Sequence, residues 1–204
     1  MKIERRIITT EVRMVEGEDG TRTIRGHGAV FNAMSEDLGG FREIIMPGAF
    51  SESLGDDVRG LFNHDPNLIL GRTASQTMAL VEDEDGLLYE IDPPDTQYAR
   101  DLQVSIDRGD VSQSSFGFRA LEESWRHPTE EEPLPVRVLH RVKLYDTGPV
   151  TFPAYPDTSA AVRDMAKLMA EGAPAGEVTG PDTEQERVAG RLANLRRRLL
   201  LVEL

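Results

Sequence analysis

Apolar and polar residues alternate with a period of two in several short segments of the first 150 positions, the pattern of half-buried strands. Residues 3–14 read as a strand and 16–20 as a turn. Residues 21–31 read as the hairpin partner, with Gly26 and Gly28 at a bulge or close contact. A loop (34–40) leads to a short strand (41–45), then to a short helix opened by Pro47-Gly48-Ala49-Phe50 and ending near Leu54. The strand predicted at 58–63 is stopped by Asp65-Pro66, and residues 77–82 and 86–91 form a hairpin around Asp83-Glu84-Asp85. The period then changes. Tyr98, Leu102 and Ile106 recur every four residues, with an N-cap at Asp95-Thr96 and a stop at Gly109, which predicts one helix. Strands follow at 111–122, 136–145 and 150–152, with an acidic, proline-containing loop at 127–135.

Many strands and few helices predict a mainly β fold with helices (α+β), a barrel or sandwich decorated by helices. From about Asp164 the pattern lapses. Residues 171–185 are rich in Gly, Pro, Ala, Thr and Glu, a linker composition. In the last segment Val188, Leu192, Leu195 and Leu199 fall at helical spacing, with Arg191, Arg196, Arg197 and Arg198 on other faces. The chain therefore divides into a domain at 1–163, a flexible linker at 164–183 and a basic amphipathic helix at 184–204. That helix packs on its own domain or another copy, or docks a partner; periodicity does not separate the two.

Composition narrows the chemistry. There is no cysteine, so thiol catalysis, disulfides and cysteine-held metals are excluded, which fits a reducing cytosolic location. A net charge of −13 opposes broad binding to a phosphate backbone. Trp125 stands alone, so there is no aromatic platform for bases, and no glycine-rich phosphate loop appears. No apolar run is long enough to span a bilayer, and the N-terminus does not read as a secretory signal. No cofactor, nucleic acid or membrane is expected.

What remains is a hydroxyl, an imidazole and a carboxylate, each at the edge of a β segment. In Val111-Ser112-Gln113-Ser114-Ser115-Phe116-Gly117-Phe118, period two puts Ser112 and Ser114 with the phenylalanines. Ser115 points the other way, with Gln113 and Gly117. If the phenylalanines enter the core, Ser115 lies on the exposed face beside a small neighbour, which favours it over Ser114 as a nucleophile. His64 is the candidate base, against a surface turn histidine or a metal pair with Asp65. Asp146 is the candidate orienting carboxylate, against an ordinary strand-end residue. His140 is a rival third member, although its apolar neighbours favour a core histidine. Asp65 reads as a turn residue; His27 and His127 have no partner in sequence. The chain order His, Ser, Asp differs from the main serine hydrolase orders.

Several stretches carry a resemblance: Gly26-His27-Gly28-Ala29-Val30-Phe31-Asn32, Pro47-Gly48-Ala49-Phe50, Leu61-Phe62-Asn63-His64-Asp65, Leu70-Gly71-Arg72-Thr73, Arg108-Gly109-Asp110-Val111-Ser112, Ser115-Phe116-Gly117-Phe118 and Val150-Thr151-Phe152-Pro153-Ala154. In this order, over roughly residues 5–160, the chain resembles the prohead serine proteases of tailed bacteriophages. The resemblance implies a fold similar to the herpesvirus assemblins, a β-barrel wrapped by a few helices. It implies a serine endopeptidase with Ser115 as nucleophile, His64 as base and Asp146 where many members carry Glu. Gln113-Ser114 stands where the family often has Gly-Met. The implied substrates are scaffolding protein, the scaffolding segment of the major capsid protein, and the protease itself. The implied place is the immature prohead in the host cytoplasm, and the link to dimeric viral proteases admits a homodimer. A noncatalytic capsid-assembly module of the same fold, or another acyl hydrolase, are the competing readings.

Overall fold

The computed structural model describes residues 3–8, 11–18 and 20–152. In chain order these form β1 (Glu4–Ile8), β2 (Arg13–Glu16), β3 (Arg22–Val30), β4 (Arg42–Ile45), β5 (Arg59–Leu61), β6 (Ile69–Arg72), β7 (Met78–Glu82), β8 (Gly86–Ile91), α1 (Gln97–Asp107), β9 (Gln113–Arg126) and β10 (Val136–Val150), with a 3₁₀ turn at Thr73–Ser75. The linker and C-terminal helix expected at 164–183 and 184–204 lie outside the described residues.

The fold is mainly β with one α-helix among the described residues, as the alternation predicts. Its strands form two open sheets rather than a closed barrel. One sheet runs β1-β9-β10-β5-β6, with β4 also paired to β10; the other runs β2-β3-β8-β7. The long strand β10 is the spine. β9 lies antiparallel along one edge, and β4 and β5 lie parallel along the other.

Three expectations change. Residues 3–14 form two strands, because β1 pairs with β9 while β2 pairs with β3. Residues 47–54 form successive turns, closed by Ala49 N–H to Met46 O, Ser51 N–H to Gly48 O and Ser53 N–H to Phe50 O. The segments 136–145 and 150–152 are joined: β10 runs unbroken through Gly148 and Pro149, which stay in register with Ser115 and Ser114. Proline has no N–H to offer, but its carbonyl accepts from the Asn63 N–H at 3.0 Å.

Phe50, Phe116 and Phe118 fill one core with Leu87, Leu139, Val142 and Leu144. Each fully buried phenylalanine contributes about 1.5–3 kcal/mol of apolar burial. Tyr89, Ile91, Leu102 and Ile106 anchor a second core, the last two from the apolar face of α1. Glycines let the sheets close on one another. A β-carbon on Gly28 would stand 2.3 Å from Thr147 Oγ1, and one on Gly26 would stand 3.2 Å from Ser114 Oγ. The register of β3 also shifts between His27 and Ala29, the bulge or close contact read from the glycines.

Four charged side chains are buried where β1, β4 and β10 meet. Arg6 reaches Glu43 at 2.9 Å and Glu4 at 2.9 Å, and Arg137 reaches Glu4 at 2.7 Å and Glu43 at 3.1 Å. Arg137 also contacts the less buried Glu123. Buried charges persist only when paired and hydrogen-bonded, so this network fastens the N-terminal strand to the spine.

Candidate active site

Ser115 lies in β9 with Ile7 of β1 opposite on one side and Gly148 of β10 on the other. The period-two reading holds for facing. Ser114 shares the face of Phe116 and Phe118, its Oγ 2.9 Å from the Tyr89 hydroxyl; burial raises the Tyr89 pKa, so that hydroxyl stays protonated. Ser115 and Gly117 point to the opposite face. The expectation that this face is exposed is wrong, because Ser115 is 0% exposed. His64 and the Arg6 carbonyl are against its hydroxyl: His64 Nε2 is 2.5 Å from Ser115 Oγ, and that Oγ lies 2.8 Å from the Arg6 main-chain oxygen.

Asp146 reaches this face through a bulge. Leu144 is opposite Phe118, yet Asp146 is opposite Gly117, so Tyr145 is an extra residue in β10. Strict alternation would send Asp146 into the core with Leu144; the bulge turns it to the face of Ser115. There its Oδ1 accepts from His64 Nδ1. Gly117 provides the room, since a β-carbon at that position would lie 2.5 Å from Asp146 Oδ2.

His64 sits on the turn after β5. Both Asn63 and His64 have φ of 56°, in the left-handed region that is uncommon for residues with a β-carbon. Such a conformation persists where the surroundings fix it. Asn63 Nδ2 donates to Thr151 Oγ1 at 3.2 Å, and the Thr151 N–H returns to Asn63 Oδ1 at 2.8 Å. With the Asn63 N–H on Pro149 O, three hydrogen bonds tie the histidine turn to the segment just beyond Asp146. Gly148 permits this approach, for a β-carbon there would stand 2.3 Å from Leu61 O. Asp65, as expected, is a turn residue whose Oδ1 accepts from the Asn67 N–H at 2.8 Å.

The other histidines lie elsewhere. His140 is exposed rather than packed in a core, with Nε2 2.7 Å from Ser124 Oγ. The register shifts between Leu139 and Val142 turn it outward, and its partner is Ser124, not His64. His27 meets Asp83 at 2.9 Å, and His127 is exposed in the 127–135 loop. Among the described residues, His27, Asp83 and Asp85 could offer a metal three ligand atoms, all within 4.8 Å of one another on an exposed hairpin end. Sequence reading missed Asn63, Thr151 and Thr147, whose hydroxyl donates to the Ser115 carbonyl at 3.0 Å. Asn63 and Thr151 stand in stretches that carry the family resemblance, whereas nothing in the pattern marks Thr147.

Chemically, the Asp146 carboxylate on Nδ1 selects the His64 tautomer protonated there. The Nε2 lone pair is then free to accept the Ser115 proton. The arrangement suits removal of a proton from a serine hydroxyl as it attacks a carbonyl.

The sequence matches the family model described as caudovirus prohead serine protease over residues 8–171. No curated protein matches it. Among solved structures, the capsid assembly protease gp21 of bacteriophage T4 is similar at 12% identity and a TM-score of 0.42. That comparison covers 72% of this chain and 98% of the T4 chain. No helix among the described residues is long and apolar enough to cross a membrane.

Proposed function

Because the chain belongs to the caudovirus prohead serine protease family, we propose that it cleaves scaffolding protein, or the scaffolding segment of the major capsid protein, inside the immature prohead. Self-cleavage is part of the same proposal. Ser115 is the nucleophile, His64 the general base and then acid, and Asp146 the orienter. The observation that carries this reading is the run Asp146–His64–Ser115, in which each imidazole nitrogen faces one partner.

In this mechanism Ser115 Oγ attacks the scissile carbonyl carbon as its proton passes to His64 Nε2. The C–N bond of the tetrahedral adduct then breaks, and the leaving amine takes that proton. The resulting ester on Ser115 is hydrolysed by a water that His64 deprotonates, which releases the acid and restores the hydroxyl. The Asp146 carboxylate holds the ring in place and stabilises the imidazolium.

Full burial of Ser115 is the observation on the side of a noncatalytic assembly module. The protease reading accordingly requires the cover over Ser115 to open when a peptide binds. Co-expression with the phage's capsid and scaffolding proteins tests the two readings. Mass spectrometry of the products should show trimmed partner with wild type and intact partner with Ser115→Ala. Intact partner in both would favour the assembly role.

A further inference from the structure

β9 carries one more polar side chain on the face of Ser115. Residues 113, 115 and 117 share that face by the two-residue period, and no register shift interrupts β9 against β10 from Gly117 back to Gln113. Asp146 occupies the Gly117 side. Gln113 therefore flanks Ser115 on the side away from Asp146, about 7 Å along the strand. Its Oε1 is buried and has no hydrogen-bond partner among the described residues. The neighbouring polar groups differ: Ser115, His64 and Asp146 all have partners within the site. An unpaired buried acceptor destabilises a fold, and where one persists it calls for an explanation.

We propose that Gln113 is a substrate-binding residue whose Oε1 accepts a hydrogen bond from a main-chain N–H of the peptide being cut. This rests on the protease reading above. Every non-proline residue of an extended peptide brings one such donor, so the contact holds the chain beside Ser115 whatever its side chains. Ser115 and Gln113 Oε1 are both closed to solvent, and the opening that admits a peptide to one uncovers the other. The buried acceptor then gains a donor that no described residue gives it, so its cost to the fold is offset when substrate is bound.

The test compares Gln113→Leu and Gln113→Glu with wild type and Ser115→Ala. The substrate is a peptide spanning the bond cut in the capsid or scaffolding protein, and the second probe is a small fluorophosphonate, which has no peptide N–H. Gln113→Leu should lower kcat/KM for the peptide by about 3- to 10-fold, mostly through KM, as expected for one lost neutral hydrogen bond. Labelling by the fluorophosphonate should stay within about twofold and the melting temperature should hold or rise. Gln113→Glu keeps an acceptor and should recover part of the loss. Unchanged peptide kinetics would overturn the proposal. So would a parallel fall in labelling, which would make Gln113 an oxyanion donor or a support of the triad, or no recovery in Gln113→Glu. If Ser115→Ala cleaves as well as wild type, the protease reading itself fails.

Discussion

Gly117 and Asp146 are matched across β9 and β10: the carboxylate occupies the space that a side chain at 117 would fill, with Oδ2 2.5 Å from where that β-carbon would be. Aspartate at this position reaches His64 because the bulge at Tyr145 turns it toward the site and Gly117 lets it lie flat on the strand. Gly117→Ala should push the carboxylate off Nδ1. We expect peptide cleavage to fall about 10²-fold, the scale of an ångström-sized misplacement in a catalytic constellation. Far-ultraviolet circular dichroism should remain that of a folded β protein. Steady-state kinetics of the variant, compared with Asp146→Asn, checks this.

The left-handed turn at Asn63-His64 depends on the reciprocal pair with Thr151. Asn63→Gly keeps the backbone conformation available but removes two side-chain hydrogen bonds, a loss of about 1–3 kcal/mol in total. Cleavage should drop while hydrogen exchange at residues 63–65 accelerates. Asn63→Asp keeps the acceptor for the Thr151 N–H and should retain more activity than Asn63→Gly.

The buried network predicts an acid limit. Burial alone would raise the Glu4 carboxyl, but hydrogen bonds and charge from Arg137, then Arg6, outweigh it and hold its pKa below the usual value. A depressed folded-state pKa stabilises the protein above the unfolded value, about 4.3, and that stability is lost as pH falls through the folded one. Urea midpoints of wild type should therefore decline below about pH 4.3, and Glu4→Gln should flatten the decline. At neutral pH Glu4→Gln should cost about 3–5 kcal/mol, because it removes one partner from paired buried arginines. A slope that Glu4→Gln leaves unchanged would show that other carboxylates set the limit.

Local patterns were legible where the period was strong and partners were adjacent. The hairpin of β7 and β8, the helix α1 and the opposite facing of Ser114 and Ser115 all follow from spacing alone. Alternation does not reveal which strand pairs with which, so residues 3–14 read as one strand although β1 and β2 join different sheets. Nor does it reveal a bulge. His140 was placed among apolar neighbours by counting, and the shifts near Leu139 exposed it; the extra residue that turns Asp146 to the face of Ser115 has no signature in the alternation. Burial of Ser115 was invisible for a related reason, since the groups at its hydroxyl come from residues 6 and 64, far away in sequence.

Every catalytic role proposed above depends on Ser115 being a nucleophile. The most direct measurement is the intact mass of the folded protein after fluorophosphonate treatment, followed by peptide mapping of wild type, Ser115→Ala and His64→Ala. Wild type should give a single adduct on Ser115, Ser115→Ala none, and His64→Ala strongly slowed labelling. An unlabelled wild type that still trims its capsid partner, or an adduct on Ser114, would contradict that role for Ser115.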